Sequence, residues 1–181
     1  QIDLGTLFPS VQPIVMEIGY GMGEATWQIA KADPRVNYLG VEVHMPGVGK
    51  LMARLDEYEL TNVRLIERDV FEVFYYMVKD SSLDGVHLFF PDPWPKKRHF
   101  KRRIVNERFL NDVHAKLKPG GYLHIATDWV PYAEWITEVF SQTKLFTGGV
   151  VDRPDWRPLT RFEGQGISKD HAVNDFRFLK A

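Results

Sequence analysis

Short apolar runs recur along the chain, and the stretches between them are too long for hairpin turns and carry the period of a helix. IVMEIG (14–19), NYLGVEV (37–43), VRLIE (63–67), GVHLFF (85–90) and YLHIAT (122–127) read as strands. The segments EATWQIAKAD (24–33), GKLMARLDEYEL (49–60), VFEVFYYMV (70–78), NERFLNDVHAKLK (106–118) and PYAEWITEVF (131–140) read as the helices that join or follow them. In the first helix Trp27, Ile29 and Ala30 point inward, and in the second Leu51, Met52, Leu55 and Tyr58 share a face. GVHLFF is apolar at nearly every position, the pattern of a strand covered on both faces. Strands of this kind, each followed by a helix, imply a doubly wound α/β sheet whose ligands collect at the carboxyl ends of the strands. GGVVDR (148–153) is a candidate sixth strand, residues 152–174 read as loop, and NDFRFLK (174–180) alternates as a last strand.

With 181 residues, 44% of them hydrophobic, the chain has material for one substantial core, so residues 1–181 are expected to form a single domain. No cysteine is present, which excludes disulfides, thiolate metal sites and a Cys nucleophile, and fits a cytoplasmic protein. The six histidines show no metal-ligand spacing, and no metal is expected. No apolar run approaches the ~20 residues of a membrane helix. The chain opens on Gln1 rather than Met, so an N-terminal segment is expected to be missing. Formal net charge is −1, yet residues 96–103 hold six Lys/Arg and no acid, which leaves the rest of the chain net acidic. An acidic body with one basic stretch points to a local anionic partner.

The first strand runs into EIGYGMGEAT, with Glu17 followed by Gly19, Gly21 and Gly23. Glycines there let the backbone turn sharply and approach a ligand before the helix begins. Glu24 stands where a dinucleotide fingerprint has its third glycine. A pyrophosphate is drawn to a helix N-terminus, and a carboxylate competes for the same field. The loop therefore suits a nucleoside without phosphates, a plain glycine-rich turn being the alternative. Glu42, near the end of the second strand, is placed to accept from both hydroxyls of a ribose. Asp69, after the third strand, is placed to accept from an adenine amino group or to cap the next helix. Asp92 ends the fourth strand, so four successive strands each deliver a carboxylate to one edge. S-adenosylmethionine, with a ribose and adenine to bind and a cationic sulfonium, would use that edge well. NAD would bring its phosphates into excess negative charge.

Asp92 lies within FFPDPWPKKRHFKRR (89–103), where Pro91, Pro93 and Pro95 fix their own φ and bias their predecessors to extended backbone. Asp92 and Trp94 would be held there without a helix or strand, Trp94 to stack on a base and the following Lys/Arg to meet phosphates. The alternative is a solvated basic loop with Trp94 filling a hole. PDPWPKKRHFKRR, together with EIGYGMG, GVEVHMPGVG, TDW and LTRFE, closely resembles the bacterial tRNA (guanine-N7-)-methyltransferase family, in order along essentially the whole chain.

That resemblance implies a Rossmann-like class I methyltransferase domain: a mostly parallel seven-stranded sheet, helices on both faces and an antiparallel last strand. It implies methyl transfer from S-adenosylmethionine to N7 of a guanosine in the variable loop of tRNA. By motif, Glu17, Gly19, Gly21, Glu42, Asp69 and Asp92 would line the cofactor site, with Asp92 also the catalytic candidate. Lys96, Asp128, Thr160, Arg161, Phe162 and Glu163 would meet the substrate. The partner would be tRNA, with no membrane and no obligatory protein partner, the chain acting as monomer or homodimer. Read from the residues alone, a methyltransferase acting on an exocyclic amine, a noncatalytic RNA-binding module and a nicotinamide-dependent oxidoreductase stay open as alternatives. Against the first, Asp92-Pro93-Trp94 has one proline where such enzymes often have two; against the second, phosphate binding gives the strand-end acids no use; against the third stands Glu24.

Overall fold

The computed structural model describes residues 1–159 and 172–181. Along β1 (Ile14–Ile18), side chains alternate between the two faces of the sheet, and each face meets its own helices. Ile14, Met16 and Ile18 join the larger core cluster, which takes in Phe109, Leu110 and Val113 on one helix and Tyr132, Ile136 and Phe140 on another. Val15 points the other way, into a smaller cluster with Ala25, Ile29 and Ala30. These faces are covered by α1 (Glu24–Ala32) and α2 (Met45–Glu57) on one side and α4 (Glu107–Lys116) and α5 (Val130–Ser141) on the other.

The remaining strands are β2 (Asn37–Glu42), β3 (Val63–Glu67), β4 (Leu83–Phe89), β5 (Leu117–Thr127), β6 (Phe146–Val151) and β7 (Asn174–Lys180). Their order is β3-β2-β1-β4-β5-β7-β6. All pairings are parallel except those of β7, which runs antiparallel to both β5 and β6. The chain steps outward from β1 through β2 to β3, then crosses back to place β4 on the other side of β1. The loops leaving β1 and β4 therefore diverge, and the crevice between them is where an open α/β sheet receives its ligand.

Several predicted boundaries move. The second helix starts at Met45 rather than Gly49, because Pro46 suits a first turn that lacks N–H partners. Met52 is 54% exposed, not inward. Adjacent helical positions lie about 100° apart, and Leu51 takes the inward one against Gly23. A Cβ on Gly23 would come within 2.7 Å of Leu51, and its φ of 75° is one that glycine adopts without strain. Trp27 and Tyr58 are only half-buried and stack on each other at 4.7 Å. The third helix is shorter than its sequence pattern: α3 (Val70–Glu72) passes into a π-helical turn over Val73–Met77. The helix after it ends at Lys116 because Leu117 pairs with Leu83 and begins β5, so the Pro119-Gly120-Gly121 turn falls within the strand's span. Strand β6 lies two residues earlier than GGVVDR, and a 3₁₀ helix, Lys97–Arg102, occupies a stretch with no predicted element.

Candidate active site

Gly19, Gly21 and Gly23 all have positive φ, and the loop they form is pinned by neighbours. Gly19 N donates to Val41 O at 2.8 Å, and the Gly21 carbonyl sits where a Cβ on Gly47 would fall, 1.9 Å away. Only glycine at position 47 lets the start of α2 touch the loop. Glu24 lies in the first turn of α1 and accepts from Gln28 Nε2 at 2.9 Å, so negative charge does occupy the helix N-terminus.

Beside this loop a cleft of about 610 Å³ opens between the ends of β1, β2 and β4. Gly19, Glu42, Asp69 and Asp92 all line it. The Glu42 carboxylate is largely occupied already. Its Oε2 accepts from Gly21 N at 2.7 Å, and Oε1 accepts from Val43 N at 2.7 Å and His44 N at 3.0 Å. A carboxylate offers about four acceptor sites, which leaves Glu42 one for a ligand hydroxyl rather than the two expected. Asp69 combines both predicted roles: Oδ1 caps α3 by accepting from Phe71 N at 2.9 Å, and the exposed carboxylate faces the cleft.

Glu17 is placed differently from the sequence expectation. It is 4% exposed and lies behind the glycine loop rather than in the cleft lining. Burial, assisted by the nearby Glu42 charge and opposed by the Thr26 hydroxyl, pushes its carboxyl up to about 7. Gly21 likewise stands behind the lining, as a donor to Glu42.

Beyond β4 the chain does not stay extended before its prolines. Phe90 and Trp94 have φ of 49° and 44°, each directly preceding a proline. Such values are rare for bulky residues and persist only where surrounding contacts over-determine them. The two kinks turn the chain out between them, leaving Asp92 exposed at the cleft wall. Trp94 meets His99 edge-on at 5.7 Å and carries the Arg102 guanidinium over its ring at 5.0 Å. Lys101 and Arg102 line the rim of the cleft, and Lys96, Lys97 and Arg98 are exposed. Arg103 is the exception in the basic stretch: it is 2% exposed, and its Nε donates to Pro93 O at 2.9 Å.

A family model described as a putative methyltransferase matches residues 11–176. The chain is 48% identical to a tRNA (guanine-N(7)-)-methyltransferase of Methylobacillus flagellatus, over 99% of this chain and 77% of that protein. It is 51% identical to the protein of the same name in Chromobacterium violaceum, over 99% of this chain and 80% of the other. The chain belongs to the tRNA (guanine-N(7)-)-methyltransferase family. Solved structures bear out the fold: the 16S rRNA methyltransferase KamB superposes with a TM-score of 0.68 at 15% identity, covering 97% of this chain and 90% of that one. A putative methyltransferase from Streptococcus mutans in complex with SAH superposes at 0.60 and 11% identity, covering 98% and 93%.

Within this methyltransferase, the other predicted substrate residues are spread out. Lys96, exposed, directly precedes the 3₁₀ helix and lies outside the cleft lining, and Asp128, half-buried, follows the end of β5. Thr160, Arg161, Phe162 and Glu163 lie outside the described residues. A polar group that sequence reading passed over is assembled on the sheet face nearby. Asp175 on β7 accepts from Arg157 Nε and Nη2 at 2.7 and 2.8 Å, and its Oδ1 lies 2.7 Å from His124 Nε2. His87 Nε2 lies 2.9 Å from the Tyr122 hydroxyl, and Trp156 stacks on the His87 ring at 4.8 Å. Burial lowers His87, so the ring is neutral. For Asp175 burial alone would raise the carboxyl, but hydrogen bonds from His124 and Arg157 outweigh it and hold it below the usual range. His87 and His124 share a face because the parallel register of β4 and β5 pairs them directly, a relation that neither strand's own sequence carries. Among the described residues no helix is long and apolar enough to cross a membrane.

Proposed function

We propose that this chain transfers a methyl group from S-adenosylmethionine to N7 of a guanosine in the variable loop of tRNA. The observation that carries the reading is the Asp92 turn, which opens into the same cleft as Glu42 and Asp69 while Lys101 and Arg102 form its rim. Acids and a glycine loop on one wall suit an adenosine with a cationic sulfonium, and the basic rim suits an RNA backbone. The fit is supported by the donor and acceptor set: one open acceptor on Glu42, the exposed carboxylate of Asp69, and a loop whose positive-φ glycines expose backbone to a ligand.

Bound S-adenosylmethionine supplies an electrophilic methyl whose transfer leaves a neutral thioether. Guanine N7 presents a lone pair and carries no proton, so no residue has to act as general base. The residues of this chain instead align and neutralise. Trp94 and the rigid turn hold the base, and alignment of this kind accounts for ~7–11 kcal/mol in well-oriented reactions. The purine becomes cationic as the N7–carbon bond forms, and the Asp92 carboxylate at the cleft wall stabilises that charge or holds the base through its N1 and amino hydrogens. Lys97, Arg98, Lys101 and Arg102 engage phosphates. Incubation with isotopically labelled S-adenosylmethionine and bulk tRNA, followed by nucleoside analysis, is expected to give labelled 7-methylguanosine. Label in any other nucleoside, or no transfer, would overturn the assignment.

A further inference from the structure

We propose that Arg103 is a positioning residue for Asp92, acting through the carbonyl of Pro93; the proposal rests on the methyl-transfer reading above. Among the described residues nothing hydrogen-bonds the Asp92 carboxylate, so its place is set by the backbone that carries it. That backbone is strained at Phe90 and Trp94 and needs external support. One support is the ladder bond from Phe90 N to Ala126 O at 2.8 Å. The other is the Arg103 Nε bond to Pro93 O, between Asp92 and the second kink.

Arg103 is built for that bond rather than for solvent. Its guanidinium lies 3.8 Å from the Phe100 ring centre, 5.0 Å from Trp135 and 5.2 Å from Tyr132. The aromatic walls are themselves tied down, since Trp135 Nε1 donates to Val105 O at 2.8 Å and the Tyr132 hydroxyl accepts from Val105 N at 3.3 Å. The backbone of Arg103 is held as well, its carbonyl accepting from Asn106 Nδ2 at 3.0 Å. Among the described residues no carboxylate pairs with it, and burying a guanidinium that way is costly without strong compensation. Cation–π contact supplies part of that compensation. The box thereby couples the Asp92 turn to the α4–α5 layer, whereas Lys97, Arg98, Lys101 and Arg102 remain exposed for RNA. A 1 Å shift of Asp92 would be enough to impair alignment of the reacting atoms.

Arg103→Met keeps apolar bulk in the box and removes the donor; Arg103→Lys keeps the charge with a smaller donor. Single-turnover methylation of unmodified tRNA, affinity for S-adenosylmethionine, tRNA affinity over a salt series and thermal midpoint are measured together. Arg103→Met is expected to slow the saturated rate by about 10- to 100-fold, with both affinities and the salt slope unchanged, and Arg103→Lys to lie between it and the parent. A shallower salt slope with the saturated rate intact would make Arg103 a direct phosphate contact and overturn the proposal. So would wild-type rates in both variants. Rate, cofactor affinity and thermal midpoint all falling together in Arg103→Lys would assign it a merely structural role and overturn the proposal too. If Arg103→Met does not fold, Arg103→Lys decides: a several-fold slower rate with intact affinities supports the proposal, and a parental rate refutes it. Failure of the unmutated chain to make 7-methylguanosine would instead refute the function itself.

Discussion

Replacing Glu17 by Gln should change how stability depends on pH more than any other single substitution at the site. The carboxyl is 4% exposed, faces the Glu42 charge and titrates near 7, against 4.5 for the unperturbed group. Between those values the unfolded chain has lost the proton and the folded chain retains it. The favourable contribution of the buried neutral acid is complete below 4.5 and is lost as pH rises through 7. A displacement of that size corresponds to about 3 kcal/mol. Gln has the same shape and no charge, so the stability of Glu17→Gln relative to the parent should rise by about 3 kcal/mol between about pH 4 and pH 8. Urea unfolding of the two proteins in parallel gives this difference with all other titrations cancelled. Curves that stay parallel would refute the burial argument. A cationic ligand beyond the glycine loop favours the ionised form, so S-adenosylmethionine binding near pH 6 should release a proton. Calorimetry in buffers of different ionisation heat reads that release, and Glu17→Gln should abolish it.

Asp92→Ala is expected to lower turnover by roughly 10²-fold while leaving S-adenosylmethionine affinity near the parental value; equal turnover in the two proteins would remove Asp92 from the chemistry. Neutralising Lys97, Lys101 and Arg102 together should weaken tRNA binding and reduce the slope of log affinity against log salt by about 2–3, and an unchanged slope would refute their phosphate contacts. Arg157→Met leaves the Asp175 carboxylate buried at 2% exposure with His124 as its remaining described partner. It should cost about 3–5 kcal/mol in denaturant unfolding, whereas a loss under ~1 kcal/mol would mean that the pair adds little.

Periodicity and composition by themselves determined the βα alternation, the glycine loop, and the delivery of Glu42, Asp69 and Asp92 to one sheet edge. They did so because strand and helix periods are local, and because the carboxyl end of a parallel strand is a fixed direction once the alternation is known. Local signals could not decide burial among like residues. Arg102 and Arg103 are adjacent, chemically identical and both border the cleft, yet Arg102 is exposed while Arg103 is buried among Phe100, Tyr132 and Trp135, since that box is contributed partly by a helix some thirty residues away. The same holds for Leu51 and Met52, which Gly23 separates, and for Arg157 and Asp175, whose pairing exists only once β7 lies against β5. Proline statistics predicted extended backbone at Phe90 and Trp94, but tertiary contacts imposed the opposite turn. Which residues carry charge was written in the chain; where that charge meets water, aromatic rings or another charge was decided by the packing of distant elements, because desolvation depends on three-dimensional neighbours and not on sequence order.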